Sequence, residues 1–285
     1  FFDITHLSRY KDFKVASNRF IDFQNKMLSL TKVIKSTSEF SSVVGGVDVC
    51  IVGSDQVWNP LFYGKPHFKE PFLLKNIPSN IQKYSYAASV GYPTIPKEVE
   101  SEFKIALKTY EEISLRENST KNYIQTVLGI PARTDIDPIF LLKKEDWYQQ
   151  INPDRLIDEP YILCFELSTP AYFDKFLKRI KNEYRQMIKV VLLSRNWYAM
   201  WSGDINIYYA GPWEFLRLIR DAEIVISTSF HACAFSVLFN KNFFACLSKH
   251  PPERIINLLS IVGLKDRIIS EKNFGSVNLE NSINY

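Results

Sequence analysis

The chain has 285 residues, enough for one large domain or two of ordinary size. Its composition, 46% hydrophobic and 23% charged with no low-complexity tract, is that of a globular protein and excludes a disordered or fibrous one. Thirty-five basic against 31 acidic residues leave a net charge of +4, scattered rather than blocked. That balance argues against a dedicated nucleic-acid binder and leaves room for an anionic small substrate.

The four cysteines, Cys50, Cys164, Cys233 and Cys246, each lie in an apolar segment without CxxC or His-paired spacing. They read as reduced core thiols of a cytoplasmic protein, with no metal site built from them. No signal peptide is visible, and no apolar run reaches the roughly 18 to 20 residues of a spanning helix. The chain opens on Phe1 without a methionine, so an N-terminal piece is expected to be missing.

In chain order, residues 1–45 read as helical, with Phe13, Phe20, Phe23, Met27 and Leu30 spaced for one face. Residues 47–52 are a short buried strand running into "GSDQVWNP", and 83–88 are a second strand followed by a turn at Gly91. A helix over 97–111 carries Val99, Phe103, Ala106, Leu107 and Tyr110 on one side. Short strands follow at 113–116 and 133–137. The charged stretch 143–160 reads as a hinge, dividing the chain into domains 1–150 and 151–285. Beyond it, strands at 161–167, 188–193, 205–209, 223–227 and 242–247 alternate with helices at 170–185, 213–221 and 230–239. This alternation forces parallel pairing and an open, doubly wound α/β sheet. Such sheets bind ligands outside the carboxyl ends of their strands, so two domains facing one another would place the site in the cleft between them.

Four strand ends could carry chemistry. In "ISTSFHACAFSVLF" the strand ends at Ser227, Thr228 or Ser229 suits the helix N-cap, and His231 falls in the first helical turn. First-turn N–H groups and the helix dipole favour an anion there, by about 0.3–1 kcal/mol. A histidine beside that anion could bond it or pass it a proton; the alternative is a half-buried structural histidine. In "VGSDQVWNP", Asp55 and Gln56 project at a sheet edge, as base, sugar ligand or simple turn cap, while Trp58 suits either a stacking platform or the core. "ISLREN" ends in Arg116, a fork for carboxylate or phosphate, or else an ordinary salt-bridge partner of a glutamate such as Glu117. The loop "SRNWYAMWSG" holds Arg195, Trp197 and Trp201, suited to sugar stacking or to interdomain packing.

Taken in order, "DVCIVGSDQVWNP", "YSYAASVG", "ISLREN", "DPIFLLKKEDW", "GPWEFLRLIRDAEIVISTSFHACAFSVLF" and "RIINLLSIVGLKDRI" resemble the polysaccharide pyruvyl transferase family, from about residue 15 to residue 270. The resemblance implies two Rossmann-like domains of GT-B type. It also implies transfer of pyruvate from phosphoenolpyruvate to a saccharide, as a ketal bridging two hydroxyls, in the biosynthesis of a surface polysaccharide. No cofactor or metal is implied; the partners are the donor and a saccharide or lipid-linked oligosaccharide acceptor, with peripheral membrane association left open. Two departures stand out. The opening strand and glycine-rich turn usual in the family are not matched, which would shorten the N-terminal, acceptor-side sheet by a strand–helix unit. Where some members have Arg-Leu-His, this chain has Ser229-Phe230-His231.

Carried onto this chain, the resemblance makes His231 the general acid or the phosphate's proton donor, and Asp55 the group that orients or deprotonates the acceptor hydroxyl. Arg116 would hold the donor's carboxylate or phosphate, and Ser229 the phosphate at the helix mouth. Thr228, Gln56, Asn59, Arg195 and Trp197 complete the expected substrate contacts. A nucleotide-sugar glycosyltransferase or epimerase, and a non-catalytic saccharide-binding relative, remain as alternatives.

Overall fold

A computed structural model describes residues 4–62, 64–184, 188–194, 203–248, 253–279 and 282–285. The chain opens with helix α1 (Ile4–Met27) and α2 (Thr37–Val44), followed by strands β1 (Val49–Gly53) and β2 (Gln82–Tyr86). Next come α3 (Lys97–Leu107), β3 (Ser114–Leu115), α4 (Asn118–Tyr123) and β4 (Arg133–Thr134). Then follow α5 (Lys144–Gln150), β5 (Tyr161–Phe165), α6 (Phe173–Glu183), β6 (Lys189–Leu193) and β7 (Ile205–Ile207). The last elements are α7 (Pro212–Asp221), β8 (Ile224–Ser227), α8 (Phe230–Leu238), β9 (Asn242–Cys246), α9 (Glu253–Ile261) and β10 (Ile268–Ile269).

These elements form two units: a small one, Thr31–Leu141, and a large one, Phe1–Leu30 with Leu142–Tyr285. This differs from the expected division at 150/151 in two ways. The first helix belongs with the C-terminal half, because Phe13 meets Tyr208 at 6.1 Å between ring centroids and Phe23 meets Trp213 at 5.2 Å. The charged stretch expected as a hinge begins with α5, where the Asp146 carboxylate accepts the Lys143 N–H at 2.9 Å and Trp147 packs edge-on against Phe235 at 5.1 Å. Charge on one face of a short helix had disguised an apolar anchor on the other.

In the large unit the six strands run in the order β10-β9-β8-β5-β6-β7, all parallel. The central β5, Tyr-Ile-Leu-Cys-Phe, is buried at every position, as an unbroken apolar run in a sheet covered on both faces must be. On one face lies α6, whose Phe173, Phe176, Leu177 and Ile180 recur at helical spacing and join Ile162, Cys164, Ile226 and Phe244 in one core cluster. On the other lie α7 and α8: the Tyr161 hydroxyl donates to the Leu218 carbonyl at 2.8 Å, and Phe165 meets Phe215 at 5.3 Å. The chain winds outward from β5 through β6 to β7, then returns to β8 on the other side of β5. The topological switch therefore lies between β5 and β8. The expected doubly wound α/β sheet is the one observed, and α9 and β10 extend it beyond the elements read from the sequence.

The small unit pairs β1 with β2 and β3 with β4, both in parallel. Parallel bridges Tyr84–Glu112 and Ala88–Leu115 link β2 to β3, so four strands lie in chain order. Its core gathers on Trp58, which is fully buried, meets Phe103 edge-on at 5.4 Å and donates its indole N–H to the Phe72 carbonyl at 2.7 Å. Trp58 is therefore core and not a stacking platform. β1 is an edge strand with Val49 and Ile51 exposed, Ile51 by 67%.

Candidate active site

At the switch in the large unit, the chain leaving β8 is tied to β5 by its own hydroxyls. Ser227 Oγ donates to the Phe165 carbonyl and accepts the Ser229 N–H at 2.9 Å. Thr228 Oγ1 accepts the Leu167 N–H at 2.9 Å. Ser229 is the N-cap of α8, its hydroxyl accepting a long bond from the Ala232 N–H at 3.5 Å. The sequence expectation for this turn thus holds: His231 sits in the first turn of α8, half-buried, its ring edge-on to Phe230 at 5.3 Å between centroids. Arg254 of α9 sets its guanidinium 5.5 Å from the centre of the Phe230 ring, a cation beside this turn that the sequence reading did not single out.

Ser229 and His231 border a cavity of about 560 Å³ at the strand ends. Phe165 and Leu167 bring it the end of β5, Leu193 the end of β6, and Ala210, Gly211 and Pro212 the turn into α7. Pro212 at the start of α7 and the Glu214 carboxylate, which accepts the Gly211 N–H at 3.0 Å, fix that turn. Phe20 and Phe23 of α1 form a further wall. Arg19 holds α1 in place, donating to the Tyr209 carbonyl at 3.1 Å and lying 3.5 Å from the Glu214 carboxylate.

In the small unit, the strand ends carry a compact charged cluster. Arg116, 3% exposed, is 2.7 Å from the Asp137 carboxylate, itself buried, and 3.4 Å from that of Asp55. Its partner is Asp137 rather than the neighbouring Glu117. Glu117, also buried, accepts from Ser89 Oγ instead. Asp137 and Ser89 were missed in the sequence, although each follows a strand or its turn, in "TDIDP" and "YSYAASVG"; Glu117 was named there only as a partner for Arg116.

Asp55 is exposed and left-handed at φ 46°, and its carbonyl accepts the Ser89 N–H at 2.8 Å. Gly53 is required before it, since a Cβ there would meet the Tyr86 carbonyl oxygen at 2.0 Å. Gln56 and Asn59 pair with each other at 3.1 Å over Gly91, and Asn59 also accepts the Leu61 N–H at 2.9 Å. With Asp55, His67 and Lys69 they line a smaller cavity of about 180 Å³. Arg195, Trp197 and Trp201 lie outside the described residues. Among the described residues, no group of three or more His, Cys, Asp or Glu side chains gathers as a metal site, and no helix is long and apolar enough to cross a membrane.

A parallel α/β sheet whose switch point opens on a cavity, with a histidine in the first turn of the adjoining helix, is the architecture of proteins that bind small molecules at strand ends. The chain belongs to the polysaccharide pyruvyl transferase family, whose sequence model matches residues 1–250. Comparison with curated proteins finds no sequence match. Among solved structures, the chain is similar to a functionally uncharacterised protein of Klebsiella pneumoniae, at 16% identity and a TM-score of 0.46, covering 90% of this chain and 86% of that one. It is also similar to a UDP-GlcNAc 2-epimerase of Methanocaldococcus jannaschii, at 14% identity and 0.45, covering 87% and 82%. A spinosyn rhamnosyltransferase complexed with thymidine diphosphate matches at 12% and 0.41, covering 95% and 70%.

Proposed function

We propose that this chain transfers pyruvate from phosphoenolpyruvate to two hydroxyls of a saccharide, forming a cyclic ketal. The observation that carries the reading is a histidine in the first turn of α8, at the switch point of a chain matched to this transferase family over residues 1–250. In the reaction, a proton adds to the donor's methylene carbon, leaving C2 cationic. One acceptor hydroxyl oxygen bonds to C2, and the C2–O bond to phosphate breaks with its electron pair going to phosphate. The second hydroxyl oxygen then closes the ketal. Of the two protons the hydroxyls lose, one balances the new methyl group and the other leaves with phosphate.

In this reading His231 is the acid, and the α8 N-terminus with Ser229 and Thr228 receives the phosphate. Arg254 supplies the cation that Ser229, standing where some members carry arginine, does not. Asp55 takes the acceptor proton, with Gln56 and Asn59 orienting that hydroxyl. Arg116 acts through Asp55 and Asp137, because its burial and its pairing to Asp137 suit it to positioning more than to gripping a donor. The test is incubation with phosphoenolpyruvate and a panel of galactosides and hexosaminides, free and lipid-linked. A mass gain of one ketalised pyruvate, with phosphate released only when acceptor is present, is expected. No gain on any acceptor, with no acceptor-dependent phosphate release, sinks the reading.

A further inference from the structure

We propose that the aromatic cavity beside His231 holds the hydrocarbon chain of a lipid-linked saccharide. The saccharide part of this proposal rests on the transfer reading above; the chain rests on the cavity alone. At about 560 Å³ the space falls within the ~300–1,000 Å³ of ligand pockets and far exceeds the small gaps of a packed core. Its walls are ring faces and aliphatic carbon: Phe20, Phe23, Phe165, Phe215 and Phe235, with Leu167 at the rim. Among the described residues, the polar side chains in the lining are Ser229, His231 and the indole of Trp147. Ser229 already caps α8, and His231 stands two residues beyond it, so these two polar groups gather at one place on the wall.

That distribution selects the occupant. A sugar buried in the cavity would lose water from several hydroxyls and find few partners for them, and an anion deep inside would find less still. A hydrocarbon chain needs only the apolar surface the walls supply. With the chain in the cavity, the polar head it carries belongs at Ser229 and His231, where the donor's chemistry is assigned. α1 takes part in building this space, since Phe20 and Phe23, three residues apart on one helix face, line it and Arg19 anchors that helix at Glu214. Leu167, 64% exposed, marks the entrance.

The experiment measures binding of β-galactosides with methyl, butyl and octyl aglycones, below micelle-forming concentration, by calorimetry without phosphoenolpyruvate. The expected result is a dissociation constant that falls at least about tenfold from methyl to octyl. Leu167→Glu, at an exposed rim position where folding is not at stake, removes that gain. Equal affinity for all three, or octyl binding untouched by Leu167→Glu, overturns the proposal. Octanoate binding as tightly as octyl galactoside would assign the cavity to free acyl chains and overturn the acceptor assignment. Chain-length dependence without any pyruvate transfer leaves the cavity standing and removes the transfer reading. Transfer to methyl galactoside together with flat binding does the reverse.

Discussion

In the large unit the chain leaving β8 passes through Ser227 and Thr228, whose neutral hydroxyls bond backbone groups across the switch point, and Ser229, which caps α8 and borders an apolar cavity. In the small unit the chain leaving β3 passes through Arg116 and Glu117, both buried, the first paired with the Asp137 carboxylate and the second bonded by the Ser89 hydroxyl. The same parallel geometry thus sets neutral hydroxyls beside an apolar cavity after β8 and a buried, charged cluster after β3. Neutral side chains can hold a turn without demanding counter-charges, which leaves room for a ligand. A buried arginine brings its carboxylates with it and becomes part of the frame.

The contrast can be broken most forcefully at His231. If the large unit performs the chemistry, His231→Ala lowers acceptor-dependent phosphate release by about 10²–10⁴-fold while the unfolding temperature stays put, His231 being half-buried and outside the core. Near-normal turnover in that variant would make the histidine structural. The small unit answers in stability instead. Asp137→Ala strands the buried Arg116 guanidinium and should cost about 3–5 kcal/mol, seen in denaturant unfolding as a lowered midpoint. A loss under about 1 kcal/mol would mean that water reaches Arg116 and that its pair with Asp137 behaves as an exposed one.

Smaller effects sharpen the comparison at the sheet edges and in the thiols. Ile51→Thr, on the exposed edge strand of the small unit, should change stability by less than about 0.5 kcal/mol, whereas a fall of several degrees in melting temperature would show Ile51 to be covered. Burial pushes the Cys233 thiol up from 9.0 to about 12, and Cys164 and Cys246 rise for the same reason. These three should resist alkylation in the folded protein at pH 8, as mapped by mass spectrometry. The sign follows: the unfolded chain releases the Cys233 proton near 9.0 while the folded one keeps it to about 12. That contribution is therefore constant below pH 9 and lost as pH rises through this window.

The pattern of alternating apolar runs and turns made the large unit legible, because an all-buried strand such as β5 and a 3.6-period helix such as α6 write their environment directly into residue type. The turn from Ser227 to His231 was read correctly for the same reason. Asp137 was invisible because ion pairing across 21 residues of chain leaves no local signature; the reading looked to the adjacent Glu117 for the partner of Arg116. Nor could periodicity place α1. Its apolar face at Phe13, Phe20 and Phe23 announces that something covers it, not which unit does.

That placement has a practical outcome for anyone dividing the molecule. Residues 31–141 are an insertion between the first helix of the large unit and the rest of it. A fragment starting at residue 142 would lack Phe13, Phe20, Phe23 and Arg19, leaving Tyr208 and Trp213 bare and the cavity without one wall. The large unit is better isolated by joining residues 4–30 through a short flexible linker to 142–285, or by supplying α1 as a separate peptide and asking whether the two halves reassemble.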